Sequence, residues 1–263
     1  MYPRSIVALG WLAGLGANGT PAVAGDWSAD VRRTDSPPPR YETSTGIDVV
    51  KHAWSVHGSF TASPFGGITA DGWRVRLGTG YGQYRYDRDV TLPGRTPVRP
   101  AHGHSAFAEA LVGYQLTLGR LTAKAFAGIL GEQSLVAIGN AFTLFEDPAD
   151  PHQGTRYGFK GALETWLDLG GRGFLQVDAG WSSPSEAYAG RARLGYRLGD
   201  RLSFGPEAAL HGSTDSDATP TGRGGAFARY EWGRGEASIS AGVTGNGDEV
   251  DGAYGTMALS FRF

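Results

Sequence analysis

Three places in the chain set a histidine within two residues of a serine: His57-Gly58-Ser59, His102-Gly103-His104-Ser105 and His211-Gly212-Ser213. A hydroxyl beside an imidazole base could serve acyl transfer, which on a lipid-facing wall would mean phospholipid cleavage or deacylation. Neighbouring residues of a strand point to opposite faces, so His104 and Ser105 cannot form a nucleophile–base pair. The other two pairs share a face only as i, i+2 neighbours, with no clear third group to orient the base. A second set is acidic: Glu146, Asp147, Asp150 and His152, then Asp215 and Asp217, then Asp248, Glu249 and Asp251. Such oxygens could hold calcium or bridge lipopolysaccharide through divalent ions, but none has EF-hand spacing, and solvated loop charge is the simpler reading. Gly14 to Gly19 matches a dinucleotide-binding glycine pattern, but no strand precedes it. No catalytic residue, cofactor site or metal site is expected.

A third set is both the largest and the most regular. Arg74, Arg76, Glu109, Lys124, Lys160, Glu164, Asp168, Asp178, Arg191, Arg193, Arg197, Glu207, Arg229 and Glu231 all alternate with apolar residues. In 186–198, Tyr188, Gly190, Ala192, Leu194, Tyr196 and Leu198 share one face, and Arg191, Arg193, Gly195 and Arg197 share the other. In 104–118, Ala106, Ala108, Ala110, Val112, Tyr114, Leu116 and Leu118 form an apolar face. Period-two alternation of this kind marks strands with one solvent on each side. Strands are expected near 41–49, 52–62, 71–87, 104–118, 121–133, 154–169, 173–183, 186–198, 202–212, 223–232, 236–245 and 253–263.

The whole chain has 263 residues, 24 Lys+Arg against 26 Asp+Glu, 42 glycines and no cysteine. Near-neutral charge argues against a nucleic-acid partner. The lack of cysteine excludes thiolate chemistry and disulfides. A glycine- and aromatic-rich chain, with no mature apolar run long enough for a membrane helix, fits a transmembrane β-barrel.

Residues 1–24 read as a cleaved signal peptide: Arg4, an apolar run from Ile6 to Ala17, then Ala22-Val23-Ala24. Residues 25–40, with Ser36-Pro37-Pro38-Pro39-Arg40, read as a Pro-rich linker, and 41–263 as an antiparallel outer-membrane barrel. Tight glycine breaks at 119–120, 170–172, 199–201 and 233–235 alternate with longer ones at 88–103, 134–153, 213–222 and 246–252. Bacterial barrels put short turns in the periplasm and long loops outside, with both termini inside. That parity requires a rising strand before 52–62, which raises the count from eleven to about twelve. Met257, Leu259, Phe261 and Phe263 alternate to a terminal aromatic, which resembles the signal read by barrel-insertion machinery. Trp73, Trp181, Tyr188, Tyr230, Trp232 and Tyr254 fall near strand ends, where headgroup interfaces favour them.

The blocks Asp71-Gly72-Trp73-Arg74-Val75-Arg76-Leu77 to Gly80-Tyr81-Gly82-Gln83-Tyr84, Ala110-Leu111-Val112-Gly113-Tyr114-Gln115, Arg191 to Arg197, Phe204-Gly205-Pro206-Glu207 and Gly225 to Arg229 resemble, in that order, the BcsS family of cellulose-biosynthesis proteins. The resemblance covers roughly residues 45–232. It implies an alphaproteobacterial outer-membrane accessory to cellulose synthesis or secretion, with no catalytic residues. Its partners would be lipid, lipopolysaccharide, the insertion machinery, and cellulose or the proteins that secrete it. A narrow selective porin and a lipid-modifying barrel are the alternatives.

The charged face could line a conduit or fill a narrow lumen, and twelve strands lie between filled and open barrels. Filling is the favoured reading, because Tyr84, Tyr86 and Trp166 are too scattered for a sugar track. Glu207 should meet Arg193 if Leu198 opposes Leu202, or Arg191 in the neighbouring register. In a wet lumen that pair would contribute about 1–2 kcal/mol.

Overall fold

The structure is a computed structural model that describes residues 37–89, 98–138, 145–146, 154–214, 220–246 and 249–263. The proposed signal peptide and most of the linker lie outside the described residues, as do most of the acidic loop positions.

Among the described residues, twelve long strands alternate in direction. They are β1 (Tyr41–Val50), β2 (Ala53–Ala62), β3 (Gly72–Asp89), β4 (Val98–Leu118), β5 (Leu121–Ile138), β6 (Gly154–Gly170), β7 (Gly173–Ser182), β8 (Ala187–Arg197), β9 (Leu202–Ser213), β10 (Thr221–Trp232), β11 (Gly235–Asn246) and β12 (Glu249–Arg262). A two-residue strand, Phe145–Glu146, pairs with the outer end of β5. Each long strand pairs antiparallel with its sequence neighbours, and β1 pairs with β12 from Glu42↔Arg262 to Val50↔Tyr254. That pairing closes the barrel and leaves neither terminal strand as an edge. β4 and β5 are longer than the alternation suggested: each extends into a segment read as loop, 98–103 and 134–138.

Both described chain ends lie together. The amides of Arg40 and Tyr41 donate to the Phe263 carbonyl at 2.9 Å, and the Phe263 amide donates back to Tyr41 at 3.0 Å. The glycine turns at 119–120, 170–172, 199–201 and 233–235 share this end, the one that in such barrels faces the periplasm, while the two-residue turn 51–52 lies at the other end. Gly119, Gly170 and Gly171 have φ of 60°, 88° and 60°, the left-handed backbone that short hairpins need.

Burial is inside-out relative to a water-soluble protein. Arg74, Arg76 and Arg229 are each 1% exposed, whereas Ile129 is 62% and Phe159 71% exposed. Charges in the interior and apolar side chains on the surface require an apolar solvent outside. Aromatic pairs ring the periplasmic end: Tyr41 with Phe60 and Phe263, Trp73 with Tyr114, Tyr196 with Phe204, and Trp232 with Phe261. Trp54 and Tyr81 meet on the outer wall towards the other end. Tyr254 departs from the expectation. It is 4% exposed and faces the lumen, because its parity matches Arg262 rather than Phe261.

The abundant glycine has a spatial cause beyond turns. A Cβ on Gly103 or Gly195 would collide with the ring of its register partner Tyr84 or Phe174, and one on Gly113 with the edge of Phe126 and the Ala125 carbonyl. Gly80 with Phe107, Gly46 with His57 and Gly78 with Glu109 repeat the arrangement. Large lumen side chains therefore lie flat across bare backbone on the adjacent strand.

Candidate functional site: a packed, charged lumen

Every residue of the charge set projects inward, and the pairs it forms cross the barrel as well as run around it. Near the periplasmic end, Trp166 of β6 stacks on Phe174 of β7 with centroids 4.0 Å apart, and Phe174 reaches Phe227 of β10 at 6.2 Å. Arg229, also on β10, lies 4.5 Å and 4.6 Å from the Trp166 and Phe174 rings. Arg197 of β8 lies 5.6 Å and 5.3 Å from the same rings. A guanidinium over an aromatic face is held by the ring quadrupole, more strongly where water is excluded. Trp166 and Phe174 are 1% and 0% exposed, so both rings are covered on all sides. Arg197 also approaches Asp168 at 3.8 Å, and Arg229 approaches Glu231 at 3.5 Å.

One step outward, Arg76 of β3 donates to Glu164 of β6 at 2.6 Å, while its guanidinium sits 3.8 Å from the Phe126 ring centre. Lys124 stands 3.9 Å from the same carboxylate. Lys160 of β6 bonds Glu109 of β4 at 2.5 Å. On the opposite wall the register is Glu207↔Arg193, the one in which Leu198 opposes Leu202. Arg193 Nε donates to Glu207 at 2.5 Å and its Nη2 to Ser240 at 2.9 Å. Tyr254 donates its hydroxyl to Glu207 at 3.0 Å from β12. Arg191 instead pairs with Asp178 of β7 at 2.7 Å.

Some members of the network were not legible in the sequence. Arg223 of β10 bonds Asp48 of β1 at 2.7 Å, and Arg262 of β12 bonds Glu42 of β1 at 2.9 Å. Alternation could have placed these four inward, but only barrel closure makes β1 the neighbour of β12. Arg74 has a different role from the other arginines. Its guanidinium donates to Ser63 Oγ at 2.9 Å, to the Ile68 carbonyl at 3.0 Å and to the Ala70 carbonyl. It thereby folds the 63–70 turn beneath the barrel, where Ile68 is buried and bonded to the Pro39 carbonyl. Pro39, read as linker, is thus attached to the barrel.

His104 and Ser105 lie on opposite faces of β4. His104 faces outward with Nδ1 2.7 Å from Tyr81 Oη, while Ser105 faces inward. Ser59 bonds Ser44 at 2.8 Å, and Ser213 donates to the Ser185 carbonyl at 2.9 Å. Tyr84 and Tyr86 stack on each other, with centroids 6.0 Å apart, while Trp166 belongs to the periplasmic layer. Phe261 and Phe263 both lie on the exposed outer face of the closing strand.

A closed antiparallel barrel with an apolar exterior and a polar interior defines an outer-membrane β-barrel protein. Similar folds bear this out. The translocator domain of the autotransporter NalP from Neisseria meningitidis matches with TM-score 0.51 and 12% identity, over 89% of this chain and 92% of that one. The transport unit of the autotransporter AIDA-I from Escherichia coli matches with TM-score 0.52 and 10% identity, over 88% and 92%. A deletion mutant of the monoaromatic hydrocarbon channel TodX matches with TM-score 0.55 and 8% identity, over 92% and 93%. No curated protein matches in sequence. The model of the cellulose biosynthesis protein BcsS family matches residues 43–263, and the chain belongs to that family.

Proposed function

We propose that the protein is a non-enzymatic outer-membrane accessory of cellulose production or export, and that its lumen is a packed core with no solute path. Family membership supports the process. The contact of Arg229 with Trp166 and Phe174 across the barrel carries the second half of the reading. Wide channels leave their interior to water, whereas here large side chains from both walls meet. The outer wall contacts lipid and lipopolysaccharide, the insertion machinery reads Phe261 and Phe263, and the signal peptide is removed on export. Cellulose or the proteins that secrete it are the functional partners.

A narrow selective channel is the second reading. Both are tested together. A deletion strain should secrete less or altered cellulose while small-solute uptake stays normal, and the purified barrel should give no stable conductance steps in planar bilayers. Unchanged cellulose amount and morphology would overturn the accessory role, and regular ohmic steps would overturn the packed lumen.

A further inference from the structure

The barrel wall is uneven in height. β3, β4, β5 and β6 run 18, 21, 18 and 17 residues, whereas β1, β2 and β7 run 10 each. Crossing the apolar layer takes about 9–11 tilted residues. The excess lies away from the termini. Pairing of β2 with β3 stops at Ala53↔Tyr84, while β3 and β4 remain paired to Asp89↔Val98. On the other flank, β6 leaves β7 at Lys160↔Ser182 but follows β5 to Ser134↔Gly154. Four strands therefore stand above the rest of the rim, and their concave face continues the lumen wall.

Three inward-facing rows cross this raised sheet. The lowest is Gly80, Phe107, Glu132 and Arg156; the next is Gly82, Ser105, Ser134 and Gly154; the third begins Tyr84, Gly103 and Val136. The middle row holds only glycine and serine, and the rows on either side carry large side chains. This makes a trough running across the strands. Gly82 is buried, so the open part of this trough runs from Ser105 through Ser134 to Gly154, about 10 Å for two gaps of about 4.8 Å. Ser105 and Ser134, on its floor, are partly exposed. On one side Tyr84 lies across Gly103, and Tyr86, partly exposed, stacks on it with ring planes 11° apart. On the other side Ser185 Oγ donates to Glu132 at 2.5 Å and accepts from Arg156 Nη2 at 3.3 Å. Beneath the trough, the lumen holds the layer of Trp166, Phe174 and Phe227.

A hydroxyl-lined floor, a tyrosine side and a carboxylate–guanidinium side suit a neutral, extended, polyhydroxylated polymer. Sugar hydroxyls exchange hydrogen bonds with serine, carboxylate and guanidinium, while the apolar faces of pyranose rings stack on aromatic rings. We propose that this trough binds a short segment of β-linked glucan at the cell surface. The substrate class rests on the cellulose reading above, and the trough on the register alone.

The test is calorimetric titration of the folded, detergent-purified full barrel with cellohexaose and with maltohexaose. Heat-modifiable electrophoretic migration verifies folding of each variant. Cellohexaose should bind, and maltohexaose at least about tenfold more weakly, which is the discrimination that shape and stacking should give. Ser134→Tyr, which fills the floor, and Tyr86→Ala, on the tyrosine side, should each lower cellohexaose affinity about tenfold or more. If Ser134→Tyr does not fold, Tyr86→Ala alone decides. Absence of cellohexaose binding, equal binding of maltohexaose, or unchanged affinity in the folded variants overturns the trough. Altered cellulose in the deletion strain without cellohexaose binding would refute only the trough, whereas normal cellulose refutes the accessory role whatever the calorimetry shows.

Discussion

Replacing Glu207 by alanine asks whether the lumen behaves as a dry core or as a wet pore. The Glu207 carboxylate accepts from Arg193 Nε, Ser240 Oγ and Tyr254 Oη at 2.5, 3.1 and 3.0 Å, tying together β8, β9, β11 and β12. Its removal leaves Arg193 with the Ser240 hydroxyl at 2.9 Å and the face of Phe227 at 5.0 Å. An exposed pair would contribute about 0.2–1 kcal/mol, and a partly wet one about 1–2. The side chains here are 3% and 4% exposed, so the buried regime applies, and breaking the pair should cost roughly 3–5 kcal/mol. The assay is urea unfolding of the folded barrel in detergent micelles, followed by tryptophan fluorescence, for Glu207→Ala, Arg193→Ala and the double variant. The double should be less destabilised than the sum of the singles by about 2 kcal/mol or more, because it leaves no uncompensated charge. Arg191→Ala combined with Glu207→Ala should show the weaker coupling, since Arg191 bonds Asp178. A near-zero coupling between Glu207 and Arg193 would refute a dry lumen and favour a water-filled one.

Two further outcomes follow from the same geometry. Gly195→Val should destabilise the barrel by about 1–3 kcal/mol, because the new side chain would displace Phe174 from its place between Gly195 and Trp166; Gly190→Ala, whose Cβ meets nothing closer than 3.8 Å, should unfold at nearly the unchanged urea concentration. Deleting Phe263 removes the carbonyl that receives the Arg40 and Tyr41 amides as well as the terminal aromatic, so protease-sensitive periplasmic chain should accumulate at the expense of the heat-modifiable membrane form; undiminished membrane assembly in a fractionation experiment would contradict this.

Period-two alternation was enough to place most of the lumen. Arg74, Arg76, Glu109, Arg191, Arg193, Arg197, Glu207 and Arg229 alternate with apolar residues, and side chains on a strand have only two faces to choose between. Twelve strands followed from turn lengths and the rule that both ends lie inside. Partnership was not legible in the same way. Both Arg191 and Arg193 were open to Glu207 until the turn closing with Leu198 opposite Leu202 set the register. Arg76 with Glu164, Arg223 with Asp48, and Arg229 with Trp166 are separated by at least 63 residues in sequence, as the numbering shows, and meet only because the sheet curls on itself. Arg74 carries the same alternation as Arg76, yet bonds carbonyls of the 63–70 turn, because that turn folds under the barrel mouth. Tyr254 reads as an interfacial aromatic by its place near a strand end, and only its parity relative to Arg262 turns it into the lumen towards Glu207. The inward glycines read as turn formers or weak strand residues until their register partners are known; a ring lying flat over Gly103 or Gly195 is a cross-strand fact. Local pattern decides which solvent each side chain faces, because that depends only on backbone pleat. Closure, shear and register decide what it touches there, because those arise from the pairing of all the strands together.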